Sequence, residues 1–243
     1  MKFFEEFHPL QDESVVHIWI IDLKKPISVD MSIFHSEELI RAENYKLKKP
    51  KEIFLSSRYA LRMLLARYLK RDPKQINFFY NKNGKPYLQS DTVAPCFQFN
   101  VTHCGNMACI AFAKKGEVGV DVEQVSFTNL LDSQDIFMNN NEMECLKEIN
   151  KGKELALYHV WTQKEAYLKA IGTGFVNSPT LIDSYVTPVV NLKNMNIKNH
   201  KVNSFLLDSN IIALCTNTDV EVEFYHFDRL NLIESVYQKQ KEY

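Results

Sequence analysis

The sequence predicts an α+β fold, and three observations carry that prediction. Residues Glu117 to Gln124 alternate apolar and polar with a period of two, as a half-buried strand does. Across Lys51 to Lys70, apolar residues recur at helical spacing instead. Segments of both kinds are mixed along the chain, so neither an all-helical nor an all-strand class fits. With 243 residues, 45% hydrophobic and 12% aromatic, the chain can bury a sizeable core as one large domain or two tightly packed halves.

The elements follow in order. Val15 to Leu23, rich in Val, Ile and Trp, reads as the first strand, and Pro26 limits its continuation. Ser36, with Glu37 and Glu38 in the first turn, is the expected N-cap of a helix that runs to about Lys49, where Pro50 interrupts it. A second helix covers about Lys51 to Lys70, with Leu61, Leu64, Leu65 and Leu69 on its apolar face. Strand-like segments at Ile76 to Tyr80 and Phe97 to Val101 are separated by a turn at Asn81 to Pro86.

After a further apolar segment at Ala108 to Ala113 comes the alternating strand Glu117 to Gln124. Val118, Val120 and Val122 point to one side, and Gly119, Asp121 and Glu123 to the other. Helices are predicted at about Asn141 to Ile149 and Lys153 to Ile171, the second ending at Gly172-Thr173-Gly174. Strands resume at Ser204 to Thr216, reversing at Asp208-Ser209-Asn210, and at Val220 to Phe227. No repeat, low-complexity tract or long linker divides the chain.

Composition excludes several function classes. A formal net charge of −1 and a pI near 6.7 argue against a dedicated nucleic-acid protein. The apolar run at Val15 to Leu23 is broken by His17 and Asp22 and is too short to span a bilayer, so no membrane partner is expected. Glu5, Glu6 and His8 interrupt the first ten residues, unlike a secretory signal, so a cytoplasmic location is expected. Five cysteines without C-x-x-C spacing disfavour a disulfide framework and a structural zinc site.

Five clusters could carry chemistry. Asp121 and Glu123, two apart on one strand face, lie roughly 7 Å apart at their backbones, close enough to converge on one ion. Magnesium suits such a pair, because it takes one or two carboxylates and completes its shell with water and phosphate oxygens; a solvated acidic face fits the same pattern. Trp161, Glu165 and Lys169 form one ladder on a helix face, which serves either a site or an ordinary surface ion pair. Thr102 and His103, closing Asn100-Val101-Thr102-His103, suit anion binding or a structural role. Gly84-Lys85-Pro86 combines close backbone approach with a phosphate-seeking charge, as ordinary turns also do. Lys46, Lys48, Lys49 and Lys51 around Pro50 form either a solvated face or a guide for a polyphosphate.

Taken in order, Gly84-Lys85-Pro86, Asn100-Val101-Thr102-His103, Gly119-x-Asp121-x-Glu123 and Trp161-Thr162-x-Lys164-Glu165-Ala166-x-x-Lys169 resemble the successive motifs of the 4′-phosphopantetheinyl transferases. The likeness is to the larger, monomeric subfamily that activates peptide and polyketide synthetases, and it covers the chain from about Val15 to the final strands. It implies two similar α+β halves related by a pseudo-twofold axis, here residues 1–114 and 115–243, the second carrying the metal site. Coenzyme A would lie between them. Asp121, Glu123 and Glu165 would hold Mg2+. Gly84, Lys85, Pro86, Asn100, Thr102, His103, Lys164 and Lys169 would contact coenzyme A, with His103 near the 3′-phosphate.

The implied reaction moves the phosphopantetheine arm onto a serine of an apo carrier protein, with Glu165 and Lys169 as catalytic residues and 3′,5′-ADP as the product. Two departures stand out: Thr102 where the family mostly has Ser, and Cys104 where Ser or Ala is common. Arg58 and Arg62 resemble the first motif stretch, but Ile53 replaces a basic residue of some members, which leaves Lys48, Lys49 or Lys51 as candidates for the 3′-phosphate. Phe127, Leu130, Phe137 and Met138 are the expected apolar face for the carrier protein. The rival readings are a non-catalytic coenzyme A-binding module that docks to synthetases, and a metal-dependent phosphohydrolase.

Overall fold

The computed structural model describes residues 4, 6–24, 27–89, 97–125, 130–176, 178–189 and 191–227. Its elements are β1 (Val15–Asp22), α1 (Ser36–Glu43), α2 (Lys48–Leu69), β2 (Phe78–Tyr80), β3 (Pro86–Leu88), β4 (Gln98–Cys104), β5 (Met107–Ala113), β6 (Val118–Gln124), α3 (Gln134–Phe137), α4 (Asn140–Glu148), α5 (Lys153–Ile171), β7 (Met195–Ile197), β8 (His200–Leu207), β9 (Asn210–Thr216) and β10 (Glu221–His226). The mixed class expected from the pattern is the class observed. Among the described residues, no helix is long and apolar enough to cross a membrane.

Two four-stranded sheets form the centre, with orders β10-β1-β5-β4 and β6-β9-β8-β7. Alternation along β1 supplies both sides of the first sheet. Trp19 and Ile21 pack with Ala60, Leu61, Leu64 and Leu65 of α2, while Val16, Ile18 and Ile20 face Val118, Val120 and Val122 of β6 and Ile212 and Leu214 of β9. Ala166, Leu168 and Ala170 of α5 cover the other side of the second sheet, against Ala213, Cys215 and Val202. The layers are therefore helix, sheet, sheet, helix.

One pairing could not be read from the pattern. β10 returns from the far end of the chain to lie parallel to β1, with Val15 opposite Glu221 and Ile20 opposite His226. A buried polar chain reinforces it. Trp19 Nε1 donates to Tyr68 Oη at 2.8 Å, Tyr68 Oη and His17 Nδ1 are 2.7 Å apart, and His17 Nε2 lies 3.1 Å from Glu223 Oε2. The Glu223 carboxylate only accepts, so His17 Nε2 carries the proton toward it; burial lowers the His17 pKa to about 4 and keeps the ring neutral, which leaves Nδ1 to accept from the tyrosine hydroxyl.

Several boundaries differ from expectation for physical reasons. Pro50 does not separate two helices: α2 begins at Lys48 behind an N-cap at Leu47, which puts Pro50 in the first turn, where a missing N–H leaves no bond unmade. The N-cap of α1 is His35 rather than Ser36, and its backbone N–H donates to Glu38 at 2.9 Å. β4 extends to Cys104, so Thr102 and His103 lie within a strand and not at its end. The Asn81–Pro86 turn joins the hairpin β2–β3. Four described cysteines are free thiols, of which Cys145 is exposed; Cys96 lies outside the described residues.

Candidate active site

β4 and β6 are edge strands of different sheets that run side by side, linked by side chains instead of ladder bonds. The period of two places Asn100, Thr102 and Cys104 against β6. Asn100 Oδ1 accepts from Val120 N at 2.9 Å, Thr102 Oγ1 donates to Asp121 Oδ1 at 3.0 Å, and Cys104 Sγ donates to Glu123 Oε2 at 3.1 Å. On the second side of β6 comes α5. Gly119 makes that approach feasible: a Cβ there would collide with the α5 main chain at Ala166 and Ala170.

The ladder on α5 then reaches the acids of β6. Trp161 Nε1 donates to Glu123 Oε1 at 3.0 Å, so each oxygen of that carboxylate has a donor. Lys169 Nζ donates to Asp121 Oδ1 at 2.5 Å and to Thr102 Oγ1 at 3.0 Å. Glu165 sits one turn before Lys169. Burial pushes its pKa up to about 7; Lys169 opposes that shift, and Asp121 and Glu123 add to it. Glu123 is likewise raised by burial and by Asp121. Lys169 is lowered by burial, but Asp121, Glu165 and Glu123 more than offset this and hold it above the ordinary lysine value.

This centre sets one ammonium, Lys169, against three carboxyl groups. Asp121 Oδ2 and Glu165 Oε1 are buried with no hydrogen-bond partner among the described residues, which is costly for carboxylates unless a cation faces them. Among the described residues, no three or more His, Cys, Asp or Glu side chains form a cage that could hold a metal ion by itself. Magnesium does not require one, since water and phosphate oxygens fill most of its shell. The donor set fits it.

A cavity of about 310 Å³ opens beside the acids, lined by Gly84, Lys85, Pro86, Asn100, His103, Glu165 and Lys169. Of the eight residues expected to contact coenzyme A, these include all but Thr102 and Lys164. Thr102 is turned away, buried between Asp121 and Lys169. Lys164 is a correction: its side chain is 0% exposed and its Nζ lies 2.6 Å from both Glu142 Oε2 and Phe137 O. Among the described residues that ammonium is the one cation paired with the buried Glu142 carboxylate, which otherwise accepts only from the neutral donors Asn139 N, Ser184 N and Ser184 Oγ, so it cannot leave for a ligand without leaving a buried charge unbalanced. Gly84 adopts φ +83, a backbone state that favours glycine, and an added Cβ there meets nothing.

The structure adds Ser57, which sequence reasoning passed over, and gives a place to Arg58, read above only as part of the first motif stretch. Ser57 and Arg58 of α2 line the same cavity, and Ser57 Oγ and Arg58 Nη1 are buried with no hydrogen-bond partner among the described residues. Arg62, one turn on, is saturated: it donates to Glu38, to Pro73 O at 2.7 Å and to Ile76 O at 2.9 Å. Two arginines of one motif stretch thus have different duties. Lys48 and Lys51 instead pair with Glu52 and Glu43 on the surface and do not line the cavity. His103 does line it, its imidazole held below the usual pKa by burial and then by Lys169.

The expected apolar docking face is also corrected. Phe137 and Met138 are 1% exposed and pack with Leu146, Leu157 and Val160, with Leu130 against the same cluster. Phe127 lies outside the described residues.

A carboxyl group and an ammonium in the cavity wall, with two further carboxylates beside them and a buried arginine in the same lining, suit the handling of a phosphate-bearing ligand. Comparison with known proteins narrows the class. Residues 117–227 match the model of the 4′-phosphopantetheinyl transferase superfamily, and residues 23–115 that of the 4′-phosphopantetheinyl transferase N-terminal region. A Synechocystis protein bearing the 4′-phosphopantetheinyl transferase name is 37% identical over 160 residues, 65% of each chain. The 4′-phosphopantetheinyl transferase HetI of Nostoc is 34% identical over 170 residues, 68% of this chain and 71% of that one. A Xenopus laevis L-aminoadipate-semialdehyde dehydrogenase-phosphopantetheinyl transferase is 28% identical over 163 residues, 63% of this chain and 54% of that one. The chain belongs to the 4′-phosphopantetheinyl transferase family.

Proposed function

We propose that this protein transfers the 4′-phosphopantetheine group of coenzyme A to a serine of an apo carrier protein and releases 3′,5′-ADP. The observation that carries this reading is the interaction of Asp121 and Glu123 of a strand with Glu165 and Lys169 of a distant helix, the latter two lining one cavity. Asp121, Glu123 and Glu165 would hold Mg2+, which, when bound, neutralises phosphate oxygens of the donor.

The side chains divide the remaining work. Glu165, with its raised pKa, takes the serine proton directly or through a water as the serine oxygen bonds to the β-phosphorus. The bond from that phosphorus to the bridging oxygen breaks, and the charge appearing on the departing 5′-phosphate faces the Lys169 ammonium. Thr102 holds both Asp121 and Lys169 in register. His103 of β4 and Arg58 of α2, which line the same cavity, are the proposed partners of the 3′-phosphate, with Arg58 replacing the lysines near Pro50 in that role. The reaction is placed in the cytoplasm, on a single chain, with carrier domains of peptide or polyketide synthetases as acceptors.

The test is mass spectrometry of a panel of apo carrier proteins after incubation with coenzyme A and MgCl2. One phosphopantetheine adduct on a serine, with matching release of 3′,5′-ADP, is expected. Coenzyme A bound without turnover on any carrier would favour the non-catalytic module, and coenzyme A cleaved without a carrier would favour a hydrolase.

A further inference from the structure

We propose that Lys85 is a positioning residue: its ammonium caps the carbonyl end of α5 and ties that helix to β6, holding Glu165 and Lys169 in place, and does not bind the donor. Lys85 Nζ lies 2.7 Å from Lys169 O, 2.9 Å from Ala170 O and 3.1 Å from Val118 O. An ammonium has three N–H donors. All three are used.

The acceptors explain the arrangement. The last carbonyls of a helix have no intrahelical partner and carry partial negative charge, so a cation there is favoured. Lys169 and Ala170 supply two of them, and Val118 begins the strand that bears Asp121 and Glu123. A single charged group thus joins the backbone of both acid-bearing elements. The rest of its turn docks on the same end: Asn81 Nδ2 and Asn83 Nδ2 each donate to Gly172 O at 2.9 Å. A Cβ on Gly172 would come within 3.2 Å of Lys85 Cδ and 3.0 Å of Tyr87 Oη, so the fit leaves little slack. Burial lowers the Lys85 pKa to about 8, with Glu117 and Cys215 opposing, so the group is charged at neutral pH.

A lysine that bound donor phosphate would have to abandon these carbonyls. Its effect on catalysis should therefore pass through α5. The kinetic part of this inference rests on the transfer reaction proposed above; the structural part does not.

Three measurements on the full chain separate the roles: calorimetric coenzyme A binding, transfer kinetics with an apo carrier protein, and amide hydrogen exchange along α5. For Lys85→Met, kcat should fall about 10- to 100-fold through misplacement of the catalytic pair. The Kd for coenzyme A should stay within about threefold of wild type. Exchange should accelerate over residues 166–172. Lys85→Arg, which keeps charge and donors, should recover part of both the rate and the protection.

A Kd raised about tenfold or more with unaltered α5 exchange overturns the proposal, as does a variant that changes nothing. Should Lys85→Met not fold, the arginine variant decides by the same comparison: a lower kcat with faster exchange supports positioning, and a weaker Kd with wild-type exchange refutes it. Absence of transfer by the wild type sinks the functional reading alone, and the exchange experiment then judges the clamp.

Discussion

Glu165→Gln should make the metal-free protein more stable at pH 8 while removing its transfer activity. In the fold this carboxyl group titrates at about 7 against 4.5 in an open chain, chiefly because it is buried. Ionised Glu165 therefore opposes folding. Each tenfold difference in acidity is worth about 1.36 kcal/mol, which gives roughly 3 kcal/mol at full desolvation. Partial solvent access reduces this to about 1–2 kcal/mol. For a chain of this length the melting temperature of the variant should exceed that of wild type by about 2–8 °C.

The sign with pH follows from proton binding. Between 4.5 and 7 the folded state holds the proton more tightly than the unfolded state, so wild-type stability falls as pH rises through that window. The gap to the glutamine variant should thus be full at pH 8 and narrow toward pH 5. Thermal melts in EDTA at both pH values measure it. Added MgCl2 should raise the wild-type melting temperature as ligand occupancy grows and move the variant much less. A variant that melts at or below wild type at pH 8, with no narrowing at pH 5, would refute the view that burial of the Glu165 carboxyl group destabilises this centre.

Three further outcomes are expected. Trp161→Phe keeps the ring but removes the donor to Glu123, so Mn2+ titration of the protein should show about 10-fold weaker binding or more. His103→Ala should raise KM for coenzyme A while leaving KM for dephospho-coenzyme A nearly unchanged; equal effects on both donors would remove His103 from the 3′-phosphate. Lys164→Met removes the cation paired with the buried Glu142 carboxylate and leaves it only the neutral donors of Asn139 and Ser184, and urea unfolding should show a loss of about 3 kcal/mol, partly recovered by adding Glu142→Leu.

What was legible in the sequence was local. The alternation at Val118 to Gln124 gave the strand and put Asp121 and Glu123 on one face, and the four-residue ladder of Trp161, Glu165 and Lys169 gave the facing helix surface. What was not legible depends on distant partners. Lys164 adjoins that ladder, yet Glu142 on another helix draws its ammonium into the core. Lys85 reads as a substrate-seeking charge until the carbonyls of residues 118, 169 and 170 are seen around it. Arg58 and Arg62 look equivalent by spacing and both pair with Glu38, at 3.5 and 2.5 Å; the closer pairing of Arg62 and the carbonyls of Pro73 and Ile76 tell them apart. A buried arginine needs compensation, and that rule applied to two arginines on an apolar helix face was the available signal. Gly119 was assigned to the correct face, but its reason, contact with the α5 backbone, is a property of packing.

The place of β10 beside β1 has a consequence for how the molecule is made. A ribosome that has just finished β5 has delivered three of the four strands of the first sheet, and the outer edge of β1 is still bare. At ordinary elongation rates roughly 5–20 s pass before Glu221 to His226 emerge. Through that interval the nascent chain carries an unpaired strand edge of the kind that recruits neighbours, and Phe224 and Tyr225, buried in the finished protein, are not yet there to cover it. A premature stop anywhere before Glu221 accordingly strips a wall from the oldest part of the molecule.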